Sequence, residues 1–181
     1  MINNLEIEYK ILVTKAQFEK LSAMYPNKKF IRQINTYYDT KNQDLKKQKC
    51  AMRIREKENR FLITLKTPSE KGHHEFECYV SENSSDAIKQ SEIYQILDQL
   101  NIHDELISIG TCVTDRAVIE LEKAELCFDI NYYNSITDYE IEYEQTIDHD
   151  GIKEFNQILS KIQLVYENNC PSKIKRTLES K

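Results

Sequence analysis

A mainly β, antiparallel fold, with a sheet large enough to curl or close and helices at its periphery, is predicted by three observations. Segment after segment alternates apolar and polar residues with period two, the mark of a half-buried strand. About eight such segments recur, more than a flat open sheet needs. Only a few segments carry a helical stripe instead. The chain has 181 residues, enough for one domain with a real core, so residues 1–181 are read as a single domain.

The elements follow in order. "LEIEYK", Leu5 to Lys10, alternates strictly and opens the fold as a strand. In "TKAQFEKLSAMYP", Thr14 and Gln17 have capping-box spacing. Phe18, Leu21 and Tyr25 then form one stripe, and Pro26 ends the helix. "FIRQINTYYDT" is extended. "CAMRIREKENRFLITLKTP" reads as a hairpin turning near Glu58 and Asn59, and "HHEFECYV" is another alternating strand. "SSDAIKQSEIYQILDQL" is a second helix, started by Ser84 or Ser85, with Ile93, Ile96, Leu97 and Leu100 on one face. "TCVTDRAVIELE" and "ELCFDINYY" form a hairpin around Lys123 and Ala124, followed by the strand "DYEIEYEQTI". "GIKEFNQILSKIQL" is a third helix, packing through Ile152, Phe155, Ile158, Leu159 and Ile162, and the basic tail "CPSKIKRTLE" is helical.

Composition narrows the function. With 25 basic and 30 acidic residues, the net charge is −5. That counts against a nucleic-acid partner. It leaves room for an anionic substrate carried to acidic residues by a metal ion. The five cysteines, Cys50, Cys78, Cys112, Cys127 and Cys170, are scattered and contain no CxxC pair. Free thiols in a reducing compartment are expected, not zinc ligands or a disulfide framework. No signal peptide and no membrane-spanning apolar run are read, so the expected location is the cytoplasm.

The polar strand faces hold the functional signal. Glu6, Glu8 and Lys10 share a face, as do Arg53 and Arg55, then Leu62, Thr64 and Lys66, then Glu75 and Glu77, then Glu140, Glu142 and Glu144. An ordinary amphipathic sheet accounts for the alternation. It does not account for glutamate at successive positions of one face in three strands, where acids are normally depleted and like charges repel. A charged face inside a closed barrel accounts for both signs if it takes a guest. A polyphosphate with a divalent metal satisfies it: Arg forks onto phosphate oxygens, and carboxylates hold Mg²⁺ or Mn²⁺.

"EIEYK" matches the ExExK signature of the CYTH superfamily, the triphosphate tunnel metalloenzymes. "NTYYDT", "AMRIR", "LITLKT", "GHHEFE", "TDRA", "CFDINYY", "DYEIEYE" and "PSKIKR" follow in that family's order, so the resemblance runs from about residue 3 to 177. It is nearest to the Gram-positive bacterial branch. The resemblance implies an eight-stranded antiparallel β-barrel closed into a tunnel, and hydrolysis or rearrangement of triphosphates with Mg²⁺ or Mn²⁺. It implies metal binding by Glu6, Glu8, Glu75, Asp129, Glu140 and Glu142, with Glu77 a companion to Glu75. Phosphate binding falls to Lys10, Arg53, Arg55, Lys66, Arg116 and Lys173. Tyr37 resembles a tyrosine that works with the central lysine, Lys66, in an acid/base pair, and Tyr38 points the other way. In the mechanism expected from these residues, either a second metal or the cluster of Asp129, Glu140 and Glu142 positions the attacking water. The histidines, Glu120, Glu122 and Glu144 are read as turn, edge or tunnel-end residues.

The expected activity is hydrolysis of a small triphosphate, inorganic triphosphate first. The rivals are a class IV adenylyl cyclase making cyclic AMP from ATP, and a non-catalytic nucleotide or polyphosphate sensor. The expected partner is the small-molecule triphosphate, without membrane, with a homodimer left open.

Overall fold

The computed structural model describes residues 1–180 and contains nine strands: β1 (Ile2–Glu6), β2 (Glu8–Val13), β3 (Ile31–Thr40), β4 (Ala51–Lys57), β5 (Arg60–Pro68), β6 (His73–Val80), β7 (Leu106–Glu120), β8 (Ala124–Tyr133) and β9 (Ile136–Gln145). The helices are α1 (Lys15–Ser22), α2 (Asp44–Lys47), α3 (Ser85–Lys89), α4 (Ile93–Gln99), α5 (Gly151–Leu159), extended by a 3₁₀ turn at Ser160–Ile162, and α6 (Lys173–Glu179). The chain forms two compact units, and β7 runs through both.

The first unit comprises Met1–Glu6, Gln33–Cys112 and the chain from Lys173 on. Its strand order is β1-β6-β5-β4-β3-β7. The β4–β5 hairpin turns on Glu58 and Asn59, both with positive φ (51° and 60°), the geometry a two-residue loop needs to match strand twist. That turn places Arg55 opposite Leu62 and Arg53 opposite Thr64. One face is apolar: Met52, Ile54, Ile63 and Leu65 are buried against Ile88 of α3, Ile93 and Leu97 of α4, and Leu45 of α2. In "NTYYDT" the last two residues build a cap. Asp39 accepts from the backbone N–H groups of Leu45 and Lys46, while the Thr40 hydroxyl donates to Asp44 at 2.6 Å.

The second unit comprises Ile7–Arg32 and Val113–Ser172, with strand order β7-β8-β9-β2. Here Ala117, Leu126, Phe128, Ile141 and Tyr143 pack beneath Phe18 and Leu21 of α1 and Phe155 and Leu159 of α5. Thr14 and Gln17 form the expected capping box. The outer edge of β2 is covered: the Lys10 backbone N–H donates to Asn169 Oδ1 at 2.8 Å, and the Cys170 N–H to the Lys10 carbonyl at 3.1 Å.

Two expectations are modified. The opening strand is interrupted at Ile7, so nine strands replace about eight. Residues before Ile7 pair with β6 and those after it with β9, and the Ile7 carbonyl accepts from the Gln145 N–H at 2.9 Å. The second helix is two. Both the Ser91 hydroxyl and its N–H donate to the Ile88 carbonyl, closing α3 before α4 starts. Among the described residues no helix is long and apolar enough to cross a membrane.

Candidate active site

In each unit the face opposite the apolar core carries the charges. The first unit arranges them in cross-strand rows. One runs Tyr37, Arg53, Thr64, Glu77; the next Asn35, Arg55, Leu62; another Lys66, Glu75, Asn4. Lys66 Nζ donates to Glu6 Oε2 at 2.5 Å and lies 2.7 Å from Glu75 Oε1, a charge contact not aligned as a hydrogen bond. Burial pushes the Glu75 carboxyl up, but Lys66, Arg53 and Arg55 outweigh it and hold the group below the usual carboxylate range. Thr64, fully buried, donates to Glu77 at 2.8 Å.

Arg53 and Arg55 point the same way from β4 and are held differently. Arg55 Nε donates to Asn35 Oδ1 at 3.0 Å. Arg53 Nε is buried and has no hydrogen-bond partner among the described residues. Tyr37 lies opposite Arg53. Burial raises its phenol to about 12, with Cys112 adding to the rise and Arg53, Lys173 and Arg55 pulling against it. The ring is therefore a neutral donor. Tyr38 turns to the other face, where its hydroxyl donates to Asn83 at 2.9 Å.

The second unit gathers the remaining predicted acids. The rows read Arg116, Asp129, Glu140, Leu12, then Val118, Cys127, Glu142, Lys10, then Glu125, Glu144, Glu8. Asp129 and Glu140 are fully buried and Glu142 nearly so. One carboxylate oxygen from each lies within 4.8 Å of the others. Arg116 grips Asp129 with two hydrogen bonds, Nε to Oδ1 at 2.7 Å and Nη2 to Oδ2 at 2.6 Å, and reaches Glu142 as well. Burial opposes the charge on Arg116, but Asp129 and Glu142 overcome it and the guanidinium stays protonated. Lys10 Nζ bonds Glu8 on its own strand.

The donor chemistry fits a hard divalent cation: three carboxylates converge from two neighbouring strands, with oxygen donors only. Thus Glu6, Glu75, Lys66, Arg53, Arg55 and Tyr37 come together in the first unit. Glu8, Lys10, Arg116, Asp129, Glu140 and Glu142 do so in the second. Lys173 starts α6 in the first unit, where its charge acts on Tyr37. Asn35 was missed, although its even spacing from Tyr37 placed it on the arginine face.

The family model described as the CYTH domain matches residues 4–178. The protein named "Putative triphosphatase YjbK" of Bacillus subtilis is 31% identical over 187 residues, covering 100% of this chain and 98% of the relative. A solved structure described as "a putative adenylate cyclase" from Bacillus halodurans superposes with a TM-score of 0.87 at 35% identity, over 97% of this chain and 98% of that one. HpAC1 from Hippeastrum, described as an adenylyl cyclase candidate with a dominant triphosphatase activity, shares the fold: TM-score 0.76, 24% identity, 98% and 96% coverage.

Proposed function

The chain belongs to the CYTH domain family, and on that premise we propose that it is a divalent-metal-dependent triphosphatase acting on a small triphosphate, inorganic triphosphate first. The observation that carries this reading is Arg53: a guanidinium whose buried Nε has no hydrogen-bond partner among the described residues, beside Arg55 and Lys66 on one face. A buried unpaired N–H is costly, and a phosphate oxygen satisfies it with a charge-assisted bond. The triphosphatase name of the relative at 31% identity supports the same class of substrate.

In this reading Lys10, Arg53, Arg55, Lys66, Arg116 and Lys173 hold the phosphates. Glu6, Glu8, Glu75, Asp129, Glu140 and Glu142 are the residues that would hold Mg²⁺ or Mn²⁺, which supplies neutralisation of charge on the phosphoryl oxygens. Glu142, with Asp129 and Glu140, orients the attacking water. The water oxygen bonds to the terminal phosphorus and its protons stay with the orthophosphate product, the bridging P–O bond breaks, and diphosphate leaves. Tyr37, protonated at neutral pH, donates toward the leaving oxygen, with Lys66 stabilising its charge. Positioning and charge neutralisation are the main sources of rate in phosphoryl transfer, so no covalent nucleophile is required.

The structural relative from Bacillus halodurans, described as an adenylate cyclase candidate at 35% identity, favours a second reading on the same residues: cyclic AMP formation from ATP. Phosphate release from inorganic triphosphate, thiamine triphosphate and ATP, with Mg²⁺ and Mn²⁺ compared, tests the proposal. Metal-dependent release is expected. Cyclic AMP as the main product from ATP selects the cyclase, and tight binding without turnover selects a sensor.

A further inference from the structure

Asn35 faces Arg55 across the β3–β4 ladder and is 1% exposed. The amide uses its two ends for two different strands. Its Oδ1 accepts from Arg55 Nε at 3.0 Å, while its Nδ2 points to the Cys112 backbone carbonyl on β7, 3.5 Å away. The carbonyl fixes which way the amide lies: the nitrogen must face the oxygen of Cys112, which leaves Oδ1 for an N–H donor. A rigid backbone group thereby sets the orientation of the amide, and the amide sets the plane of the guanidinium.

A guanidinium can fork onto an oxyanion in two ways, side-on through Nε and one Nη, or end-on through both Nη groups. With Nε engaged by Asn35, the side-on fork of Arg55 is closed. Arg53 is the contrast. It lies two residues earlier on the same face, opposite Tyr37 where Arg55 has Asn35, and its buried Nε lacks a protein partner among the described residues. Arg53 therefore has the side-on fork to offer.

We propose that Asn35 is a positioning residue for substrate binding: by holding Arg55 at Nε it fixes the plane of that guanidinium and closes its side-on approach to phosphate, while Arg53 engages side-on. The role deepens the triphosphatase reading and rests on it. Asn35 acts through Arg55 and does not itself touch the phosphates. Anchoring the head of a long side chain also removes rotamer freedom before the substrate arrives, so less is lost on binding.

The test combines a spectroscopic signal with a double-mutant cycle. In ¹⁵N-edited spectra of the unliganded full chain, the Arg55 Nε–Hε signal, assigned through Arg55→Lys, should be protected from exchange. It should lose that protection in Asn35→Ala and in Asn35→Ser, whose hydroxyl is too short to reach Nε. Asn35→Ala should raise KM for inorganic triphosphate about tenfold, the size of one charge-assisted hydrogen bond, with kcat changed less than about twofold. In an Arg55→Lys background the same substitution should add less than about twofold, whereas in Arg53→Lys it should keep its full effect. Equal effects in the Arg55→Lys and Arg53→Lys backgrounds overturn the proposal, as does an Arg55 Nε–Hε signal unchanged in both Asn35 variants. If Asn35→Ala does not fold, Asn35→Ser passes through the same cycle with the same criteria. A wild-type chain that neither binds nor hydrolyses inorganic triphosphate removes the functional reading, and Asn35's role toward phosphate with it, even where the Arg55 signal is protected.

Discussion

Arg116 and Asp129 face each other across the β7–β8 ladder and are joined by two parallel hydrogen bonds, at 2.7 and 2.6 Å, with Asp129 fully buried. Such a pair is worth little relative to an apolar replacement, yet removing one partner strands the other charge. Asp129→Asn should therefore destabilise the chain by about 3 kcal/mol. Urea denaturation reads this as a lower midpoint with an unchanged slope. A midpoint within error of the wild type would mean that Glu142 alone holds the guanidinium.

Gly151, the first residue of α5, has no room for a side chain. An added Cβ would lie 2.7 Å from Tyr9 Cε2 and 2.9 Å from Gln145 Cδ. Neither neighbour moves cheaply, because the Tyr9 hydroxyl bonds Gln145 Oε1 at 3.2 Å and Gln145 Nε2 bonds the His149 carbonyl at 2.8 Å. Gly151→Ala should cost about 1–3 kcal/mol by overpacking, although alanine is the better helix former. Thermal unfolding checks the sign, and a stabilised variant would contradict the close approach.

Much of this was legible because period two assigns residues to faces without any knowledge of partners. The β4–β5 register was legible as well, since the two-residue turn at Glu58 and Asn59 leaves one way to pair Arg55 with Leu62. The break at Ile7 was not. Glu6 and Glu8 keep the same alternation phase on either side of it, and a change of partner strand leaves no trace in a local pattern. Nor was the pairing of Asn35 with Arg55 legible. The β3–β4 connection runs through α2, whose short capped turn hides the register. The same α2 explains why Asp39 and Thr40 of "NTYYDT" serve as caps while Asn35 and Tyr37 face the arginines.

Lys66 stands between Glu6 and Glu75 and contributes to holding the Glu75 carboxyl low. A carboxyl whose folded value is depressed adds stability at pH above its unfolded value, and that contribution is lost as pH falls through the folded value. Lys66→Met removes the nearest cation and leaves burial opposed only by Arg53 and Arg55. The Glu75 midpoint in a ¹³C carboxyl titration should rise, and the acid limb of the stability curve should flatten because less is lost on protonation. An unmoved midpoint would show that the two arginines suffice.

Glu8 and Lys10 form an ion pair along β2, with both side chains mostly buried. Glu8→Gln keeps the shape and removes one of the proposed metal-binding charges. Metal-dependent phosphate release should fall by about a hundredfold, the order expected when a preorganised electrostatic partner is lost. Far-UV circular dichroism should be unchanged. Calorimetric titration with Mn²⁺ should show weaker binding in the same variant, which separates loss of metal from loss of fold. Near-normal turnover in a folded Glu8→Gln protein would sink the metal assignment at this position.

Tyr37 offers a sharper separation of binding from chemistry. Burial raises its phenol to about 12 against the pull of Arg53, Lys173 and Arg55. A raised phenol contributes stability that is fully present below the ordinary tyrosine value and is lost as pH rises through about 12. The absorbance titration at 295 nm, taken as wild type minus Tyr37→Phe, should thus show one phenol ionising near 12 and not near 10. If the hydroxyl donates to the leaving oxygen, Tyr37→Phe should lower kcat for inorganic triphosphate by about a hundredfold. KM should stay within about twofold, because Arg53 and Arg55 still hold the phosphates. A rise in KM with kcat intact would make Tyr37 a phosphate ligand instead, and no change in either would leave it a buried aromatic packed beside the arginines.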